Sequence, residues 1–301
     1  MQMNGILVID KPAGLTSRDV VNQVQRWFPK RTKIGHTGTL DPLATGVLVL
    51  CLGVATRLAD YVQAMGKTYQ SQFRLGATST TDDADGEIVE NPGAKPPSRE
   101  EIDSVLAGFC GLIQQVPPAY SAVKVSGERA HHLARVGQQV QLAPRAVRID
   151  AIRVVRYDWP YLDLEIDCGK GTYIRSIARD LGAKLGCGGL VQTLRRIRVG
   201  PFTVEQGIRL EESAEAARQR LLPLSAAVAH MPQVMLELPQ ARRFAQGQVL
   251  RVPPRVQPRT GPRPVAVITP DQQLIGIGEC DASGRLRPVI VLGNPQSPNS
   301  E

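Results

Sequence analysis

Residues 35–49 read GHTGTLDPLATGVLV, and they decide how the chain is organised, because a loop punctuated by glycine runs without a linker into an apolar strand through Leu48 and Leu50. Asp41 stands at the join. On one reading, Asp41-Pro42 initiates a turn and the carboxylate only accepts backbone N–H groups. On the other, Gly35, His36, Gly38, Thr39 and Gly46 let the backbone approach a ligand closely, and the carboxylate is a reactive group aimed into a cleft. The stretch alone leaves both readings standing.

Upstream, GILVIDKPAG reads as a strand ending in a Pro-Gly turn. Ser17 is then expected to cap a helix with Val20, Val21, Val24, Trp27 and Phe28 on one face, stopped by Pro29. Downstream comes a helix carrying Leu58, Tyr61, Val62 and Met65. KTYQSQFRLG then alternates, with Tyr69, Ser71, Phe73 and Leu75 on the inner face of a sheet. Ser98 and Glu101 form a capping-box pattern ahead of a helix that buries Ile102, Val105, Leu106 and Phe109. Between Pro117 and Pro144 the chain turns polar and basic, as an arm over a surface would. VRIDAIRVVRY and YLDLEIDC read as paired strands around Trp159-Pro160, and GKGTYIRSIARDLGAKLG as a glycine turn into a helix. Strands and helices interleave irregularly, which predicts an α+β fold with a mixed sheet in place of a βαβ repeat. From about Met231 the texture changes to short β-type runs, expected to form a small β-barrel or sandwich.

A length of 301 residues suits one large domain with a smaller one. The net charge of +8 is carried mainly by arginine, 28 Arg against 8 Lys. That balance favours a polyanionic partner, since guanidinium matches phosphate geometry and stacks on bases. The 5 cysteines are scattered and form no CxxC pair, so neither a disulfide framework nor a zinc cage is indicated, and a reducing, cytoplasmic setting is expected. The longest apolar run, residues 46–55, falls well short of the roughly 20 residues of a membrane span, so no membrane association is expected.

Other chemistries fare poorly. Gly66-Lys67-Thr68 lacks the earlier glycine of a phosphate-binding loop, with Tyr61 in its place. His131-His132 has no partner at ligand spacing and reads as solvated. Asp82, Asp83 and Asp85 could supply a carboxylate pair, but TTDDADGE reads more naturally as a turn.

GILVIDKPAGLTSRDVV, KIGHTGTLDPLATGVLVLCLG, GKTY, PPAYSAVKVSGER and CGKGTYIRSIARDLGAKLGCGG follow one another in a single order. Together they closely resemble the TruB family of tRNA pseudouridine-55 synthases. The resemblance implies a pseudouridine synthase fold, with a mixed, largely antiparallel central sheet over residues 1–230, an RNA-clamping arm at about 117–145, a PUA-like β-domain at 231–295 and a tail at 296–301. It implies isomerisation of a T-loop uridine in tRNA, with no cofactor and no metal, by an enzyme that flips the base out of its stack. Asp41 matches the catalytic aspartate, Tyr69 the active-site tyrosine and Arg175 the arginine that pairs with the aspartate. Leu194 matches the apolar residue beneath the base, and His36 the histidine that supports the vacated space.

Lys11, Lys67 and Tyr173 fall within the matching motifs and are expected to face RNA, as are Lys124 and Arg129 on the arm, with Arg135 and Arg145 beside them. A monomer without an obligate protein partner is expected. An RNA-folding module in which modification is secondary remains the alternative. Two departures stand out: Ser79, Thr80 and Thr81 replace the family's T-D-T, and His131 stands where a tyrosine is usual.

Overall fold

The computed structural model describes residues 3–121, 123–125, 128–130, 133, 142–252 and 263–293. His131, Arg135, most of the arm, residues 253–262 of the proline-rich segment and the tail at 296–301 lie outside the described residues, as do the side chains of Lys124 and Arg129.

The N-terminal half runs β1 (Gly5–Lys11), α1 (Ser17–Val24), β2 (Ile34–His36), β3 (Thr45–Leu52), α2 (Ala59–Ala64), β4 (Lys67–Leu75), β5 (Ala77–Ser79), β6 (Ile88–Glu90), α3 (Arg99–Ala107) and β7 (Gly111–Gln115). After it come β8 (Lys124–Val125), β9 (Glu128–Arg129), β10 (Arg145–Asp158), β11 (Tyr161–Cys168), α4 (Ile174–Lys184), β12 (Gly189–Val199), β13 (Phe202–Thr203) and α5 (Ala214–Gln219). The last stretch holds β14 (Gln233–Met235), α6 (Leu238–Ala245), β15 (Leu250–Arg251), β16 (Arg263–Ile268), β17 (Leu274–Cys280) and β18 (Arg285–Val291).

The central sheet has the order β1-β3-β12-β4-β11-β10-β7, with β2 added to β3 and β13 to β12. Every pairing is antiparallel except β3 with β12, which run parallel through Thr45–Gly46 and Arg195–Arg196. The sheet is therefore mixed and largely antiparallel, as expected. The apolar runs of β1 and β3 have a simple cause, because both strands are buried on both faces. Leu7, Ile9, Leu48, Leu50 and Leu52 pack with α1 and α4 on one side. Ile6, Val8, Val47, Val49 and Cys51 join Leu58, Val62 and Met65 on the other.

That second face also takes Ala266, Ile268, Leu274 and Ile277 from the C-terminal sheet, ordered β14-β16-β17-β18-β15. The late β-type runs thus form a curled five-stranded sheet that shares a hydrophobic cluster with the larger one. Phe244 and Ala241 of α6 cover its other side together with Val265, Val267 and Ile275.

Local predictions hold in most places, and one cap is corrected. Ser98 and Glu101 make the expected box. For α1 the cap is Thr16, boxed with Asp19, and not Ser17. The Ser17 hydroxyl instead donates to the Leu40 carbonyl at 3.1 Å and accepts the Leu40 N–H at 2.8 Å, tying the helix to the residue before Asp41. The helix needs only one cap, and the neighbouring serine is released for a long-range contact.

α4 crosses the start of β12 at very close range. A methyl group on Gly182 would lie 2.2 Å from the Gly188 carbonyl carbon and the Gly189 nitrogen. Glycine to alanine inside a helix ordinarily gains up to about 1 kcal/mol. At Gly182 the sign is expected to reverse, with Gly182→Ala costing at least about 2 kcal/mol in urea unfolding because backbone blocks the new methyl.

Candidate active site

Asp41 sits in a turn, but the turn does not engage its carboxylate as the first reading supposed. Its backbone carbonyl accepts the Ala44 N–H at 3.1 Å, closing the turn, so the carboxylate is not consumed by it. The side chain reaches Arg175 at the start of α4, with Oδ2 2.9 Å from Nη2. Asp41 remains 37% exposed while Arg175 is 6% exposed, so an open carboxylate rests on a buried guanidinium.

Arg175 is oriented from every side. Nη1 donates to the Thr81 carbonyl at 2.8 Å and Nη2 to the Tyr120 carbonyl at 2.9 Å. A second carboxylate, Asp83, lies 3.4 Å from Nη1 and is itself buried. One turn along α4, Arg179 pairs with Asp82 at 3.0 Å and donates to the Val116 carbonyl at 2.9 Å. Burial pushes the Asp83 carboxyl upward, opposed by hydrogen bonding from Thr81 and by the Arg175 charge, and reinforced by the negative charge of Asp41. The TTDDADGE segment is therefore a turn, as read, whose two aspartates also hold the arginines of α4.

Tyr173 precedes α4 and is fixed by the side-chain amide of Gln115. Its N–H donates to Oε1 at 2.8 Å and its carbonyl accepts from Nε2 at 3.1 Å. Burial raises the Tyr173 phenol, and the charge of Asp41 adds to that. Tyr69 on β4 sits directly across from Arg196 on β12, and Ser71 across from Leu194. Opposed residues of an antiparallel pair share a face, so Tyr69, Leu194 and Arg196 form one floor. The Tyr69 phenol is raised mainly by burial, lowered by the Arg196 charge and hydrogen bond, and raised by Asp41. Asp41 thus acts electrostatically on Tyr69 and Tyr173 together.

His36 lies on β2 opposite Leu50, half-buried. Its Nδ1 is enclosed without a hydrogen-bond partner among the described residues, and burial, with Arg18 and Arg196 nearby, lowers its pKa.

Two expectations need correction. Lys11 and Lys67 do not present their ammonium groups to a ligand. Lys11 is fully buried, with Nζ donating to the carbonyls of Pro12 and Pro42 at 2.8 and 3.3 Å. Lys67 is buried too, donating to Gln63 and Met65 at 2.5 and 2.6 Å. Each is spent on backbone carbonyls, those of Lys67 lying in and just after α2, and Lys11 holds the Pro42 carbonyl beside Asp41. A Lys within a matching motif invites an RNA-facing reading until the fold shows which carbonyls surround it. The side chains of Lys124 and Arg129 lie outside the described residues; their backbones pair across the β8–β9 ladder.

Sequence reasoning did not find Arg196, Arg179 or Gln115, and it set Asp83 aside as a turn residue, although the acidic cluster Asp82, Asp83, Asp85 and Glu87 was a usable signal.

An antiparallel-dominated sheet carrying an aspartate loop over a buried arginine is the architecture of a pseudouridine synthase. Over 96% of this chain and 84% of its counterpart, the fold superposes on a crystal structure of a Cbf5-Nop10-Gar1 complex with a TM-score of 0.75 and 25% identity. A structure of an H/ACA RNP bound to a substrate RNA containing 2'-deoxyuridine superposes with a TM-score of 0.74 over the same share of each chain, at 24% identity.

The family model described as TruB family pseudouridylate synthase (N terminal domain) matches residues 26–174. The model of the tRNA pseudouridylate synthase B C-terminal domain matches 175–229, and that of the pseudouridine synthase II TruB C-terminus matches 232–292. The tRNA pseudouridine synthase B of Xanthomonas euvesicatoria is 43% identical over 95% of this chain and 93% of its own. That of Thermobifida fusca is 42% identical over 96% and 98%. The chain belongs to the TruB family of pseudouridylate synthases.

Burial lowers Lys67 from 10.5 to about 8, with the Arg196 charge adding to the effect. Because the folded chain then releases this proton before the unfolded chain does, the penalty is complete below pH 8 and is relieved as pH rises toward 10.5. Between those limits the native protein should gain on the order of 1–3 kcal/mol of unfolding free energy relative to Lys67→Met, read from urea titrations across the window.

Proposed function

We propose that this chain isomerises a uridine in the T-arm loop of tRNA, at position 55, to pseudouridine, and that Asp41, Tyr69 and Arg175 carry the reaction. The observation that supports this most directly is the half-exposed Asp41 carboxylate paired at 2.9 Å with the buried Arg175 guanidinium. A charge-assisted contact of that length fixes the direction of the carboxylate. The reaction breaks the C1′–N1 bond, turns the uracil and rejoins it through C5, so all atoms come from one nucleotide. Attack at C1′, removal of a C2′ proton and addition at C6 each call for one ionised acid.

The substrate base must leave its stack at a cost of a few kcal/mol. Tyr69 and Leu194 offer the face on which the extruded base rests, with Tyr173 beside them and His36 toward the RNA. The relatives' name, tRNA pseudouridine synthase B, supports the choice of tRNA. On this reading residues 1–230 hold the catalytic part, the segment at about 117–145 clamps RNA, 231–295 is a PUA-like domain on the same tRNA, and 296–301 is a tail. The enzyme acts as a cytoplasmic monomer. Among the described residues no helix is long and apolar enough to cross a membrane.

Asp41→Asn tests the site. Asp83 still faces Arg175 in that variant, so unfolding free energy should stay within about 1 kcal/mol, whereas conversion of unmodified tRNA transcript, mapped chemically, should fall at least about 1,000-fold. Full turnover would remove Asp41 from the chemistry. Binding should also weaken by orders of magnitude between about 50 and 200 mM salt if several arginines meet phosphates; a flat response would restrict recognition to the bases.

A further inference from the structure

Arg196 is a charged side chain with no acidic partner among the described residues. It is 2% exposed, its guanidinium is held by the Val47 carbonyl through Nε at 2.8 Å and by the Gly38 carbonyl through Nη2 at 3.1 Å, and the residue lies directly across the β4–β12 ladder from Tyr69. Its charge presses on Lys11, Lys67 and His36, all of whose pKa values it helps to lower. A buried, uncompensated cation beside two buried lysines is costly. A leucine or methionine would fill the same space without that cost.

The location gives the charge a use. β3 and β12 are parallel and pair only through residues 45–46 with 195–196, and a methyl group on Gly46 would lie 2.2 Å from the Arg196 carbonyl oxygen. Beyond that point the Arg196 side chain reaches across to Val47 and on to Gly38, three residues before Asp41. On its own face it meets Tyr69.

We propose that Arg196 is a positioning residue for the reaction, acting through the Tyr69 hydroxyl and the Gly38–Asp41 loop. A phenol oxygen that accepts a hydrogen bond from Arg196 keeps its own proton free to donate. Arg196 thereby turns the Tyr69 O–H toward the nucleotide side, while its bond to Gly38 holds the loop at a constant distance from that hydroxyl. The proposal rests on the reading of Asp41 and Tyr69 as the reacting site.

A double-mutant cycle tests it, with Arg196→Gln, Tyr69→Phe and their combination assayed for kcat and KM on a T-arm stem-loop. Arg196→Gln should lower kcat at least about tenfold with KM within about threefold. In the Tyr69→Phe background, where no hydroxyl remains, the same substitution should cost less than about threefold, reflecting the loop contact alone. Arg196→Lys, which keeps the charge but not the forked geometry, should fall between native and glutamine. An unchanged kcat for Arg196→Gln, or an equal loss in both backgrounds, would overturn the proposal. Should the glutamine variant fail to melt cooperatively, Arg196→Lys takes its place in the same cycle with the same criteria. Native protein runs in the same assay: absence of conversion there strikes the functional reading, whereas native conversion with an additive cycle strikes only the role of Arg196.

Discussion

One buried guanidinium ties the site together. Arg175 touches the Asp41 carboxylate, the Asp83 carboxylate, the Thr81 carbonyl and the Tyr120 carbonyl, four groups from three separate stretches of chain. Five N–H donors in a planar fork can satisfy such a set; an ammonium is a point charge without that geometry. Taking the guanidinium out of water is costly, and two carboxylates with two carbonyls offset the cost only where the loops sit. The position of each loop is therefore linked to the others through one side chain. Tyr120 belongs to the stretch that follows β7, so the end of that stretch is tied to the group that orients Asp41.

The sheet beneath makes this rigidity possible. β1 and β3 are buried on both faces, one packed on the helices that carry or brace the site and the other on the C-terminal sheet. Close backbone packing of Gly182 against Gly188 and Gly189 draws α4 onto β12. The helix bearing Arg175 and the strand bearing Leu194 and Arg196 thus meet backbone to backbone at this point. The polar floor is unusual for its cations: Lys11, Lys67 and Arg196 are all buried and bonded chiefly to carbonyls. Backbone oxygens offset part of the cost of burying that charge.

Much of this was legible in the chain itself. Alternation in KTYQSQFRLG assigned the inner face of β4 correctly, and the Ser98–Glu101 spacing marked a real helix start. The five motifs led to Asp41, Arg175 and Tyr69, and the family resemblance they carry led to Leu194; the fold pairs Asp41 with Arg175 and sets Tyr69 and Leu194 on one face of the sheet. Misreadings had both local and long-range causes. Asp19 stands at box spacing from Thr16 and not from Ser17, whose hydroxyl is instead engaged by Leu40, 23 residues away. Lys67 is taken up by carbonyls of Gln63 and Met65 just before it, whereas Lys11 is held partly by Pro42, 31 residues on.

Periodicity, capping patterns and turn residues are local properties, so the sequence by itself determined where strands and helices lie, that the sheet is mixed, and which acid stands in a glycine-rich turn. Which partners each charge meets was decided by tertiary structure. Asp41 and Arg175 are separated by 134 positions and were linked beforehand only by the family resemblance, while Tyr69 and Arg196, 127 positions apart, were not linked at all. The physical reason is that burial turns a solvated, weakly interacting ion into one whose energy depends on each neighbour, and burial is a property of the packed sheet and helices together.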